Sequence, residues 1–162
     1  MANFNSHLSQ AKRNLKFLGE IDTGKSVDWK VTVAFYTALH LINAHVAISA
    51  NLHYITHRDL DLFLNPNNKM SLCKVDDDTF VNYKTLLNLS RRSRYLLNDG
   101  TPHLDSESEH LTFEKHYKKA LKNLNHIMEF MTNKYDNEFN VTEITSINFE
   151  ELKYFKNISV NV

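Results

Sequence analysis

The chain has 162 residues, and its 19 Lys plus Arg balance its 19 Asp plus Glu, so the formal net charge is zero. A neutral chain lacks the global positive field that draws proteins to nucleic acids or membranes, so any anion-binding site must be local. Only three glycines and two prolines are present, which disfavours turn-rich β-sandwiches and barrels. We therefore expect one all-α domain, an up-down bundle of roughly four to five helices.

Cysteine content and hydropathy indicate the compartment. Cys73 is the single cysteine, so no internal disulfide framework is expected, which fits a reducing environment. Residues 1–20 lack the apolar core of a secretory signal. The most apolar run is interrupted by Lys30, His40 and His45. We therefore expect a cytoplasmic protein with no membrane contact.

Apolar residues at helical spacing predict five helices. The second is apolar on nearly all sides, which is typical of the central helix of a bundle. Ser26 or Asp28 can cap its start, and the acidic run 76–78 precedes the fourth helix, where the helix dipole favours negative charge. Phe113 is expected on the buried face of the last helix. The predicted helices cover residues 6–21, 26–51, 56–64, 79–97 and 108–134.

The sequence changes character after the last predicted helix. Residues 1–137 carry the helical pattern, whereas residues 138–162 begin with alternating β-branched residues and show no helical stripe. We expect residues 1–137 to form the bundle and residues 138–162 to form a short non-helical extension, either β-like or a docking arm.

Histidines are the first candidate ligands. Tyr36 and His40 lie four residues apart, as do His53 and His57, so each pair shares a face in a continuous helix. Such a histidine pair can bind a metal, but no HExxH pattern is present and Cys73 has no cysteine partner. Three glycines also cannot form a Gly-rich phosphate loop. We expect no metal and no cofactor, with His40 hydrogen-bonded in the core.

The arginines are concentrated in one segment. Three of the five in the chain, Arg91, Arg92 and Arg94, directly precede Tyr95. Arginine presents planar, charged donors that suit phosphate, and a tyrosine ring can stack on a base. Alternatively, these arginines have only a structural role at a solvated helix end, where their positive charges interact favourably with the C-terminal end of the helix dipole. Both interpretations stay open from the residues alone.

The motifs resemble one known family over residues 5–134. Trp29 near the start of a helix is followed by VAFYTALHLINA at 33–44, THRD at 56–59 and LLNLSRRSRY at 86–95. This pattern resembles the HEPN superfamily of bacterial helical bundles. The end of the last segment is similar to the family's R-A-D-Y form, with Arg94 in place of the acid.

The resemblance implies a bundle that dimerises around a polar seam. It also implies roles in RNA cleavage, in RNA or nucleotide binding, and in toxin–antitoxin or phage-defence systems. The family's active ribonucleases pair an Arg with a His about four to six residues later, without metal. No arginine of this chain has a His at that spacing, and His103 lies beyond a glycine and a proline. The sequence therefore favours a binder without catalysis.

The sequence thus predicts a homodimeric bundle that binds RNA, a nucleotide or another phosphate-bearing ligand. One alternative is a divergent metal-independent ribonuclease that uses His103, His57 or His40. Another is a protein-interaction module for a partner such as a nucleotidyltransferase antitoxin. The proposed ligand-binding residues are Arg91, Arg92, Arg94, Tyr95, Tyr36, His40, His57 and Arg58.

Overall fold

The computed structural model describes residues 3–52, 56–96 and 111–158 of the chain. The protein is an all-α helical bundle with a short non-helical C-terminal extension, which confirms the predicted fold class. The elements are α1 (Phe4–Glu20), α2 (Val27–Ala50), α3 (His57–Leu64), α4 (Asp77–Tyr95), α5 (Glu114–Tyr135), β1 (Thr142–Ile144) and β2 (Phe155–Asn157). Helix α2 packs against α1, α4 and α5, and α4 also packs against α5.

The central helix α2 is buried on nearly every side. Its turns contribute Val31, Phe35 and Ile42 to the core, each fully buried. Among the described helices, α2 is also the one long and apolar enough to cross a membrane. However, 72% of its most apolar window is buried inside the bundle, which is typical of a core helix. Length and composition alone therefore give little support to a membrane span.

The helix starts show which predicted capping groups are used. The carboxylate of Asp76 accepts a hydrogen bond from the Thr79 N–H at 2.8 Å, so the predicted cap of α4 is confirmed. Ser26 is the N-cap residue of α2, but its side chain makes no capping hydrogen bond. The predicted capping role of the Ser26 hydroxyl is therefore wrong. Asp28 lies in the first turn, where its negative charge interacts favourably with the helix dipole.

The last helix starts later than the sequence pattern predicts. Residues 111–113 are not helical, so the predicted start at residue 108 is too early. The Phe113 N–H donates a hydrogen bond to Nδ1 of His116 at 2.9 Å, which satisfies an otherwise orphan donor and fixes the helix start. Phe113 is 51% exposed, so its predicted place on the buried face of α5 is also wrong.

Residues 138–158, called here the C-terminal arm, lie against the bundle. Strands β1 and β2 pair in parallel, with Thr142 opposite Phe155, and β1 packs against α1. Ile144 and Phe155 are fully buried and belong to the same hydrophobic core as the helices. The change of sequence character near residue 138 is therefore a change of secondary structure around one core.

Asp22, in the turn between α1 and α2, ties the C-terminal arm to the helices. Its fully buried carboxylate accepts hydrogen bonds from the backbone N–H groups of Thr145 (2.6 Å) and Ser146 (3.0 Å) and from both hydroxyls. The Tyr117 hydroxyl donates a further bond at 3.3 Å. Burial opposes ionisation, but the bonds from Thr145 and Ser146 outweigh it and lower the pKa of Asp22. The buried Lys30 ammonium, 5.5 Å from the Tyr117 ring centre, adds a positive charge. We call Asp22 and its hydrogen-bond donors Thr145, Ser146 and Tyr117 the Asp22 clasp.

His45 joins three distant parts of the chain. Its Nδ1 lies 2.5 Å from the Tyr135 hydroxyl, and its Nε2 lies 2.9 Å from the carbonyl oxygen of Cys73. Because a carbonyl can only accept, Nε2–H donates to Cys73 and Nδ1 accepts from Tyr135. Burial lowers the pKa of His45 to about 4, so the ring is neutral at pH 7.

The Asp22 clasp generates a stability prediction. We expect Asp22→Asn to lower the free energy of unfolding by about 2–4 kcal/mol, because an amide turns donor hydrogens toward groups that also donate. The matched control is Glu143→Gln, which removes an exposed carboxylate from β1 and should change stability by less than about 0.5 kcal/mol. Urea denaturation measures both. Equal stability losses in the two variants would show that the clasp does not hold the arm.

Candidate functional site

Arg94, in the last turn of α4, is held among aromatic rings. Its guanidinium carbon lies 4.9 Å from the Tyr95 ring centre, 5.6 Å from that of Tyr36 and 5.9 Å from that of Phe35. Nη1 donates to the hydroxyls of Tyr36 (3.2 Å) and Tyr95 (3.4 Å), and Nε donates to Oγ of Ser90 (3.1 Å). We call Arg94, Tyr36 and Tyr95 the Arg94 cage. These contacts fix the orientation of the charge.

The hydrogen bonds of the Arg94 cage leave some donors unused. Within the described residues, the hydrogen bonds of Arg94 use Nε and Nη1 only, so Nη2 has no described partner. The hydroxyls of Tyr36 and Tyr95 accept from Nη1, so their own hydrogens remain available to donate. The Tyr95 side chain is 58% exposed and Tyr36 is 38% exposed. The cage can therefore offer several hydrogens to an anion and an open aromatic face to a planar ring.

His57, the first residue of α3, lies beside this cage. Its ring centre is 5.5 Å from that of Phe35, and its buried Nδ1 has no hydrogen-bond partner among the described residues. Burial, and then the positive charges of Arg94 and Arg91, lower the pKa of His57. The neutral form of the imidazole is therefore favoured at pH 7.

Tyr83 of α4 is a second unsatisfied polar residue in this region. It is fully buried, and its ring centre is 6.3 Å from that of Phe35. Its hydroxyl has no hydrogen-bond partner in the part of the chain that the structure describes. Burial and the Asp61 carboxylate raise its pKa, while Arg91 opposes them. An unsatisfied buried hydroxyl costs about 1–3 kcal/mol, and such exceptions call for an explanation, of which a functional site is one.

The structure separates the remaining predicted residues. Nε of Arg92 donates to the carbonyl oxygen of Leu111 at 3.0 Å, so Arg92 braces the chain before α5. Arg58 is exposed on α3 next to His57. Five of the eight predicted residues lie together around Phe35. Tyr36 and His57 contact the Phe35 ring, and Arg94 lies over the rings of Phe35, Tyr36 and Tyr95. Arg91 belongs to the group through its electrostatic effect on His57.

His40 faces α1 instead. Its Nδ1 lies 3.1 Å from Nδ1 of His7, so one ring donates and the other accepts. Burial and then the charge of Arg13 lower the pKa of His40. His40 is therefore a hydrogen-bonded residue between two helices, as the sequence analysis expects, and the described contacts do not link it to Arg94.

Metal and thiol chemistry gain no support from the described residues. No group of three or more His, Cys, Asp or Glu within them could hold a metal ion. Cys73 is fully buried and burial raises its pKa, so the thiol stays protonated and is a poor nucleophile. The predictions for His53 and His103 lie outside the described residues.

Sequence reasoning missed the polar partners of the α2 histidines. His7 and Tyr135 are not among the predicted site residues, although each contacts a histidine of α2. The signal that points to them is a polar side chain on an otherwise apolar helix, because such a group must find a partner when it is buried.

The chain matches no protein-family model, no curated protein and no solved structure. The resemblance to the HEPN superfamily therefore rests on its quoted motifs and stays an expectation.

The electrostatics of the two histidines generate a prediction. Arg94→Gln should raise the pKa of His57 and leave that of His40 unchanged, because each imidazole is affected by its own neighbouring arginine. Arg13→Gln should do the reverse. Histidine titration by nuclear magnetic resonance measures both values in each variant. Equal shifts of both histidines in either variant would contradict the described geometry.

Proposed function

We propose that this bundle binds single-stranded RNA or a phosphate-bearing nucleotide at the Arg94 cage, without catalysing a reaction. The observation that carries this proposal is the fixed guanidinium between two partly exposed tyrosines, with Nη2 directed to no described partner. Charge-assisted hydrogen bonds from an oriented arginine are among the strongest contacts a protein makes to phosphate.

Each residue of the cage has a distinct role in this proposal. Nη2 of Arg94 and the two tyrosine hydroxyls donate to phosphate oxygens. The exposed ring of Tyr95 stacks on a base, which contributes about 1–3 kcal/mol per base by alanine substitution. Arg91 adds positive potential, as its effect on the pKa of His57 indicates, and Arg58 extends that potential along α3.

The charge balance of the chain limits the kind of binding. With a formal net charge of zero, the protein lacks the broad cationic surface that supplies non-specific affinity for nucleic acid. The proposed interaction therefore uses few phosphates and has a shallow salt dependence. Short single strands or mononucleotides suit such a site better than long duplexes do.

The resemblance to the HEPN superfamily agrees with this function. In that family the polar seam is shared between two subunits, and the proteins serve in toxin–antitoxin or phage-defence systems. By that analogy we propose a homodimer, with the Arg94 cage near the seam and a cellular role in one of those systems.

The second candidate function is metal-independent RNA cleavage. The observation in its favour is His57, whose pKa is lowered by burial and then by the nearby charges of Arg94 and Arg91. Such a base could accept the ribose 2′-hydroxyl proton while an arginine stabilises the developing phosphorane charge. This candidate requires 2′,3′-cyclic phosphate products that disappear in His57→Ala.

The binding proposal predicts a specific loss of affinity. Arg94→Ala should weaken binding of labelled single-stranded RNA roughly tenfold, the equivalent of one charge-assisted hydrogen bond. Arg94→Lys should also bind more weakly than the parent protein, because an ammonium keeps the charge but not the planar fork. Fluorescence anisotropy measures both, with the RNA checked for cleavage on a gel.

The control is Lys25→Ala, which removes an exposed cation from the turn between α1 and α2 and should leave RNA affinity unchanged. Thermal melting verifies that all variants are folded. Equal losses of RNA affinity in Lys25→Ala and Arg94→Ala would show that the protein binds RNA only through non-specific electrostatic attraction. Absence of RNA binding by the parent protein would refute the proposal.

A further inference from the structure

A second surface, distinct from the Arg94 cage, lies between α5 and the C-terminal arm. It is a groove of about 410 Å³. One wall is the outer face of α5, where the lysines at positions 118, 119 and 122 lie on the same side of the helix. The other wall is the arm segment 148–152. The lining residues are Lys118, Lys119, Lys122, Asn148, Phe149, Glu150 and Leu152.

The groove is fixed in shape on both sides. The inner face of α5 packs into the core through Tyr117, Leu121 and other fully buried residues. On the arm, the Tyr154 N–H donates to Oδ1 of Asn125 at 3.0 Å, and the Tyr154 hydroxyl lies 2.7 Å from Oγ1 of Thr132. At the other end the Asp22 clasp holds the arm. A pre-formed groove spares a ligand the entropic cost of ordering it.

The groove combines an apolar floor with a positive rim. Phe149 and Leu152 are partly buried against the core and present their remaining surface to the groove. Three lysines face one glutamate, Glu150. The ion pairs within the described ranges are Lys16–Glu20 and Lys84–Asp61, so no described carboxylate within salt-bridge distance neutralises the three lysines.

We propose that this groove binds an acidic peptide segment of a partner protein, which places an apolar side chain against Phe149 and Leu152 and its carboxylates against Lys118, Lys119 and Lys122. Charge complementarity selects the partner: the rim attracts carboxylates, while the floor rewards a buried apolar anchor.

The same observations disfavour the two other occupants. RNA binds through exposed aromatic faces and arginine forks, whereas the groove lining contains no Arg, and Phe149, its one aromatic residue, packs partly against the core. A second copy that met this face with its own would bring two sets of lysines together, and like charges across an interface are costly.

The test uses the full chain and a short labelled peptide that contains Leu, Phe and several glutamates. Leu and Phe are spaced three or four residues apart, so that they share one face if the peptide is helical. The groove variant carries Lys118→Gln, Lys119→Gln and Lys122→Gln. The matched control carries Lys25→Gln, Lys69→Gln and Lys74→Gln, three exposed lysines outside the groove. Circular dichroism verifies that both variants are folded. A second peptide with Ala in place of Leu and Phe tests the apolar floor.

We expect the parent protein to bind the peptide in a salt-sensitive manner. The groove variant should bind it at least roughly tenfold more weakly, because three partly exposed ion pairs are lost together. The control variant should bind it as tightly as the parent protein does. The Ala peptide should bind more weakly than the parent peptide. RNA binding should be unchanged in the groove variant, which separates this proposal from that for the Arg94 cage.

Three results would overturn the proposal. The first is absence of peptide binding, or equal binding by the groove variant and the control. The second is loss of RNA binding in the groove variant with peptide binding retained, which would assign the lysines to nucleic acid. The third is conversion of a dimer to a monomer by the groove variant in analytical ultracentrifugation, which would make this face a self-association surface.

Discussion

The burial of α2 on nearly all sides is the constraint on which the rest of the structure depends. An apolar helix in this position must be covered by α1, α4 and α5. Thr37 and Asn43 bond to backbone carbonyls of α2 itself, whereas longer polar side chains find partners on other elements. Lys30 lies over Tyr117, His40 meets His7, and His45 meets Tyr135 and the Cys73 carbonyl. Tyr36 is the most exposed member of this series, and its partner is Arg94. The candidate site is thus the place where the polar contacts of the central helix reach the surface.

Much of the fold could be predicted because it depends on local pattern. Apolar spacing gave the five helices, and the acidic run at 76–78 located the start of α4, since both signals act within a few residues. The start of α5 could not be predicted in this way, because the hydrogen bond from the Phe113 N–H to His116 ends a pattern that apolar spacing alone would extend. The Asp22 clasp joins residues more than a hundred positions apart in sequence, and no periodicity reports such a contact.

The candidate site was predicted only in part, for a similar reason. Clustering along the chain marked Arg91, Arg92 and Arg94, but successive helical residues point in different directions. Arg94 therefore reaches the tyrosines while Arg92 contacts the Leu111 carbonyl. The sequence also grouped Tyr36 with His40 because they share a helix face. In the bundle α1 and α4 both cover α2, and the two side chains find partners on different helices.

The Arg94 cage and the lysine-rimmed groove are local cationic sites on a chain whose formal net charge is zero. The first pairs a planar arginine with tyrosines, and in the second lysines border an apolar floor. We propose that the cage is the nucleic-acid site. Nuclear magnetic resonance during titration with single-stranded RNA tests this proposal through the Arg94 Nε–H signal and the ring signals of Tyr36 and Tyr95. These signals should shift first and furthest. Shifts confined to the lysine face of α5, or no shifts at all, would refute the proposal.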